Sequence, residues 1–302
     1  MTFNSRLIEQ VEEALTRVLR MGDNVASNGD TSNAIIDVLR KLRIARELGD
    51  RYYIAVTGSQ SAGKTRLIRE LYNLDKRWLC DDQGRGERVP VFIIEDEATD
   101  VPYGAAQTID KDGKIVEQRL SDGDFTELTT SWNKMPSHLL PKLYVPRKYF
   151  SGDNAGFVLL PGYEIENAQN SAWQQLMRHT LTMSLGTILV TDPVRLAENS
   201  QLAILKDMAS SYLEARKPIV VVSKTEGMDA SKRAEIADRV AEVFNVPAHE
   251  RDRIICSGVD DAEYVAAWSK ALMSALNSYA MNATVGRQIV DGHGVALSQI
   301  RG

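Results

Sequence analysis

Apolar positions return along this chain with two different periods. Between Ser5 and Met21, the residues Leu7, Ile8, Val11, Leu15, Val18 and Leu19 recur at helical spacing. A polar, glycine-containing break runs from Gly22 to Asp30. Thr31 or Ser32 can then cap a second helix, with Ile35, Ile36, Leu39 and Leu42 on one face and Gly49 at its end. Two amphipathic helices ahead of the first strand must bury their apolar faces somewhere. Tyr52 to Thr57 is a short run without alternation, which fits a strand buried on both faces.

From there the pattern alternates. Val89–Glu95, Gly156–Leu160, Thr187–Thr191, Pro218–Val222 and Arg253–Cys256 read as strands. Ser171–Ser184, Ala197–Ala215 and Ser231–Phe244 read as helices between them. This order predicts an α/β fold, a mostly parallel sheet with helices on both faces. Residues 99–150 are less regular; Asp110 to Lys114 looks like a hairpin turn, and the segment reads as an insertion beside the second strand. Asp261 to about Val290 reads as one long helix with Tyr264, Val265, Trp268, Leu272, Leu276 and Tyr279 on one face. Three parts are therefore expected: helices over 1–49, an α/β domain over 50–260, and a helix within 261–302.

Composition narrows the classes. Of 302 residues, 43% are hydrophobic and 25% charged, ordinary values for a soluble globular protein. A net charge of −5 argues against a dedicated nucleic-acid binder. Cys80, Cys256, His138, His179, His249 and His293 are scattered without metal-ligand spacing, which argues against zinc. Two distant cysteines suit a reducing, cytoplasmic compartment. Glu9, Glu12 and Glu13 break any signal or transit pattern near the N-terminus. No apolar stretch approaches the ~20 residues that span a bilayer, so membrane contact is expected to be peripheral.

The chemistry concentrates after the first strand, in Gly58-Ser59-Gln60-Ser61-Ala62-Gly63-Lys64-Thr65. The pattern G-x-x-x-x-G-K-[ST] needs glycines so that backbone N–H groups can curl around phosphate oxygens. The helix that follows points its positive end at the same anion. Lys64 carries charge to the outer phosphates, and the Thr65 hydroxyl is a ligand for Mg²⁺. A strand before the loop and a helix after it supply the context the motif requires. A purine nucleoside triphosphate is the expected ligand. Thr187 to Asp192, an apolar strand ending in a carboxylate, has the general shape of a Walker B element. Asp192 is thus a second candidate for the metal site.

Further stretches follow in a recognisable order. The loop resembles the G-x-Q-S-S-G-K-S of the dynamin superfamily of large GTPases. Gly84-Arg85-Gly86-Glu87-Arg88-Val89-Pro90 resembles that family's switch I, and Val158-Leu159-Leu160-Pro161-Gly162 its switch II D-L-P-G. Leu196-Ala197-Glu198-Asn199-Ser200-Gln201-Leu202-Ala203 resembles L-A-N-S-D-A-L. Val222-Ser223-Lys224-Thr225-Glu226-Gly227-Met228-Asp229 resembles the base-recognition motif V-T-K-L-D-L-M-D. Order and approximate spacing match from Tyr52 to Gly258.

The resemblance implies a P-loop GTPase domain whose flanking helices form a bundle leading to a helical stalk, with Leu7–Leu19, Ile35–Leu42 and Tyr264–Tyr279 as counterparts. It implies GTP with Mg²⁺, and homodimerisation through the nucleotide face. It also implies Gln60 and Ser61 as transition-state and water-positioning groups beside Lys64. Ser223, Lys224 and Glu226 would surround the base, with the Lys224 stem on the purine face. Ser257 would add a backbone contact. Arg85 and Arg88 could neutralise charge from a switch loop.

Three departures qualify this. The switch I threonine falls on Glu87, the switch II aspartate on Leu159, and the guanine-binding aspartate on Glu226. Glu164 or Glu166 could return a carboxylate to the metal. Three readings stay open: a GTPase of slow turnover, a nucleotide-binding switch without significant hydrolysis, and an ATPase using Asp192. ATP remains possible as ligand.

Overall fold

The computed structural model describes residues 3–22, 29–79, 89–131, 137–150, 155–163, 171–198, 202–203 and 217–277. The expected roles of Arg85, Glu87, Arg88, Glu164 and Glu166 fall outside these residues, as does most of the expected 197–215 helix.

The predicted strand after the second helix is β1 (Tyr52–Thr57). It is an interior strand, next to the central one, of a nine-stranded sheet formed by the described residues. On one side it pairs in parallel with β6 (Ala155–Leu159), and on the other with β7 (Gly186–Thr191). β7 is followed in parallel by β8 (Ile219–Val222) and β9 (Ile254–Cys256). Beyond β6 lies β2 (Val91–Asp96), running antiparallel to it.

The irregular 99–150 segment is an extension of the same sheet. β3 (Tyr103–Ile109) and β4 (Ile115–Arg119) form a hairpin, and Asp110 sits in its turn as expected: its backbone N–H donates to Lys114 O, and its carboxylate accepts from the N–H groups of Asp112 and Lys114. After α4 (Asp122–Ser131), β5 (His138–Pro146) slots between β3 and β2, parallel to β2. The full order is β4-β3-β5-β2-β6-β1-β7-β8-β9.

Because side chains alternate across a strand, each strand feeds two cores. Ile54, Val56, Ile93, Phe157, Ile188 and Val221 point to one face. That face is covered by α3 (Lys64–Tyr72) and by a helix over 262–277, here α8, through Leu67, Ile68, Leu71, Trp268, Leu272 and Leu276. Tyr53, Ala55, Phe92, Val158, Leu189 and Val220 point to the other. There α2 (Gly29–Asp50) packs Ile44 and Leu48, α5 (Ser171–Met183) Met177 and Leu181, and α7 (Ala230–Val243) Val240.

α2 begins at Gly29, ahead of the expected Thr31 or Ser32 cap. It pairs with α1 (Phe3–Gly22) as an antiparallel hairpin through Leu15, Leu19, Ile36 and Leu39. Buried Glu12 locks the pair, accepting from Arg43 Nη1 at 3.0 Å and Arg46 Nη1 at 3.2 Å. Arg43 also reaches Gln107 on β3. The helices flanking the sheet are thus divided: α1 and α2 form a pair on one face, while the described part of α8 packs on the opposite one. None of the helices formed by described residues is long and apolar enough to cross a membrane.

Candidate nucleotide-binding site

The loop from Gly58 to Thr65 leaves the C-terminal end of β1, where parallel strands open a crevice. Its turns need left-handed backbone at three positions: Gly58 (φ 148°), Ser61 (φ 59°) and Gly63 (φ 95°). Space dictates two of them. A Cβ on Gly58 would stand 2.2 Å from the Val190 carbonyl oxygen, and one on Gly63 2.8 Å from Ser223 Oγ. The loop is therefore pressed against β7 and the end of β8. Lys64, 6% exposed, donates from Nζ to Gly58 O at 3.1 Å and Ser59 O at 2.9 Å. The loop thus aims the ammonium across its own mouth. Thr65 is buried in the first turn of α3.

The chain after β6 closes on the same loop. Tyr163 N–H donates to Gly58 O at 3.0 Å, and a Cβ on Gly162 would meet Gln60 Cα at 2.8 Å. The switch II glycine position therefore lies directly on Gln60. Leu159, at the position of that motif's aspartate, is fully buried in the core under α3, and Leu160 in the core on the opposite face.

The base motif is joined to the phosphate loop. Ser223 Oγ donates to Ala62 O at 2.6 Å or to Thr191 O at 3.0 Å. Lys224 sits in left-handed backbone (φ 59°), and its Nζ donates to Ser61 O at 2.9 Å and Asp192 Oδ2 at 2.7 Å. Thr225 N–H and hydroxyl both donate to Ser257 O, binding the base motif to the turn after β9. Ser257 lines the pocket, but its own N–H donates to Val222 O. The Ser257 N–H is thereby engaged inside the sheet.

Glu226 stands across this pocket from α3. Arg66 Nη1 donates to Glu226 Oε1 at 3.3 Å, while Oε2 is buried with no hydrogen-bond partner. A Cβ on Gly258 would be 2.5 Å from that second oxygen, so only glycine fits beneath it. α8 completes the wall: Trp268 Nε1 donates to Gly258 O at 3.0 Å, and the Tyr264 hydroxyl lies 2.8 Å from Thr225 Oγ1 and donates to Cys256 O. The Arg233 guanidinium stacks 3.7 Å from the Tyr264 ring.

Asp192, the expected strand-end carboxylate, is engaged by neighbouring protein groups. It is the N-cap of α6 (Pro193–Ala197), accepting from Arg195 N–H at 3.0 Å, and its other oxygen takes Lys224 Nζ and Arg195 Nη1. Burial works against its ionisation. The Lys224 hydrogen bond, the Arg195 N–H and the charges of both cations outweigh that and hold the carboxyl below its usual range. Two cations and a backbone N–H already neutralise the group a metal would need. Among the described residues no cluster of three His, Cys, Asp or Glu could hold a metal ion.

Sequence reasoning missed Arg195 and Arg66. Arg195 donates to Ser59 Oγ at 2.7 Å and to Gln60 O at 2.5 Å, clamping the outer limb of the loop. The Asp192-Pro193 pair, a capping residue before a proline at the first helical position, was the available sign of α6.

No protein-family model and no curated protein matches the sequence. Solved structures do match. Two, both described as an oligomerised bacterial dynamin pair in the sensing and tethering of membranes, superpose with TM-scores of 0.54 and 0.51 at 15% and 16% identity. They cover 89% and 90% of this chain, which spans 41% and 44% of theirs. At such identity the likeness establishes the fold alone, the α/β architecture of a P-loop NTPase domain.

Proposed function

We propose that this chain is a dynamin-like, GTP-binding P-loop module with slow hydrolysis, and that it pairs with a second copy across its nucleotide face. The observation that carries the proposal is the interlock of phosphate loop and base motif. Ser223 and Lys224 hold Ala62 and Ser61, so triphosphate and purine subsites have one fixed separation. Gly58, Ser59, Gln60, Ser61, Ala62 and Gly63 supply the backbone cradle and Lys64 the charge. The Lys224 stem and Glu226 face the base.

The loop suits a triphosphate, because glycine at 58 and 63 lets it press against Val190 and Ser223 in the left-handed backbone that turns N–H groups toward phosphate. Magnesium, bound with the nucleotide, supplies charge neutralisation at the phosphates. Thr65 would hold it. A Mg²⁺ ion takes one or two protein groups, waters and phosphate oxygens, so a lone hydroxyl is compatible with it. Gln60 and Ser61 would orient water above the loop. Residues 1–49 and 261–302 are proposed to act as helical attachments to a 50–260 nucleotide domain that pass its motion to a stalk or a peripheral membrane partner.

A second reading, a switch that binds without significant turnover, is favoured by one feature. Leu159 puts a buried methyl-bearing side chain where a metal-organising carboxylate is expected. An ATPase built on Asp192 is disfavoured by that residue's engagement with Arg195 and Lys224.

Binding of labelled GTP and ATP, followed by phosphate release at increasing protein concentration, tests these readings. GTP is expected to bind more tightly than ATP, with binding lost in Lys64→Ala. Preference for ATP would sink the role given to Glu226. Undiminished GTP binding by Lys64→Ala would sink the site.

A further inference from the structure

The Arg66–Glu226 contact places an unusual group in the base pocket. Guanine offers a carboxylate the N1–H and the exocyclic 2-amino N–H, a pair of donors flanking one carbon. The guanidinium of Arg66 is the same arrangement of N–H donors around one carbon. It reaches Glu226 Oε1 at 3.3 Å from the helix that starts at the phosphate loop. The other oxygen, Oε2, is buried over Gly258 without a partner, a state that costs free energy until a donor arrives.

We propose that Arg66 is an intramolecular competitor of the base: it occupies part of the carboxylate that reads guanine, and a guanine nucleotide must displace it. This rests on the reading of Glu226 as the base-reading carboxylate. Both side chains are about one-third exposed, 39% for Arg66 and 33% for Glu226. An ion pair so exposed is weak, with a cost equivalent to at most about a fivefold change in affinity. A base with both donors needs both oxygens and must contest Oε1, whereas hypoxanthine, with N1–H alone, can use the free Oε2, so the cost falls on the 2-amino group. The released Arg66 head goes to solvent, where it is readily hydrated.

The competition has a signature that a purely structural arginine lacks. It acts on a nucleotide only through the group that contests Glu226. It is also screened by salt, since both partners face water.

The experiment measures dissociation constants of GTP, inosine triphosphate and ATP for the whole chain and for Arg66→Gln, at low and high ionic strength. Inosine triphosphate lacks only the 2-amino group. Arg66→Gln is expected to raise GTP affinity about two- to fivefold and to raise the GTP-to-inosine-triphosphate ratio, with ATP little changed. In the unaltered chain that ratio should rise with salt; in Arg66→Gln it should stay flat. An unchanged or lower ratio in Arg66→Gln, with GTP binding intact in the unaltered chain, overturns the competition alone. Failure of the unaltered chain to bind GTP overturns the nucleotide-site reading and this inference together.

Discussion

Replacing Asp192 separates a structural role from a metal role for the carboxylate at the end of β7. Asp192→Ala removes the N-cap of α6, a loss of about 1 kcal/mol. It also removes charge-assisted hydrogen bonds to Arg195 and Lys224, worth about 1.5–3 kcal/mol each when fully buried. Neither cation is stranded. Arg195 keeps Ser59 Oγ and Gln60 O, and Lys224 is 45% exposed and keeps Ser61 O. The expected net loss is therefore about 2–3 kcal/mol, a Tm fall of about 4–6 °C for a chain of this size.

Asp192→Asn keeps the cap acceptor and should lose about half as much. The assay is thermal and denaturant unfolding, paired with GTP affinity measured with and without Mg²⁺. Both variants should weaken GTP modestly and by the same factor in either condition, because the loop loosens as a whole. Unchanged stability in both variants, with Mg²⁺-dependent GTP affinity selectively lost, would refute the capping role and return Asp192 to the metal.

Two further outcomes follow from the same geometry. Gly58→Ala would force a Cβ to 2.2 Å from the Val190 carbonyl in a left-handed backbone, so β1 and β7 must part; loss of GTP binding in a filter assay and a Tm fall of several degrees are expected, and normal binding would contradict the loop's packing. Acid should destabilise the chain through Asp192. Its folded-state pKa lies below its unfolded value, so the stabilisation is full above about pH 4 and is lost as pH falls through the folded value. Denaturant midpoints from pH 6 to pH 3 should therefore drop less steeply in Asp192→Asn than in the unaltered chain.

What could be read beforehand was local. The loop, β1 and β8 are contiguous runs whose residues fix their own conformation. The β3–β4 turn was legible because Asp110 and Gly113 are turn residues. β5 was not, since it carries Pro141 and buried Lys142 in its middle. Proline is expected at sheet edges, and here it sits beside the bulge between Gln107 and Thr108. Lys142 is tolerated by Glu47 at 3.0 Å and Glu117 at 2.9 Å, partners 95 and 25 positions away. The two readings of Asp192 stayed open for a related reason: a strand ending in Asp is the same string whether that carboxylate meets a metal or two cations. Arg66 was passed over because its partner lies 160 residues downstream.

Trp268 gives the chain an internal optical gauge. Its indole is buried, hydrogen-bonded to the Gly258 carbonyl, and forms part of the wall that Arg66 and Glu226 share. Indole emission follows the polarity and hydrogen bonding around the ring. In a variant that keeps Trp268 alone of the four tryptophans, a ligand entering this pocket should therefore be visible in the light the protein itself emits, in real time and without a label.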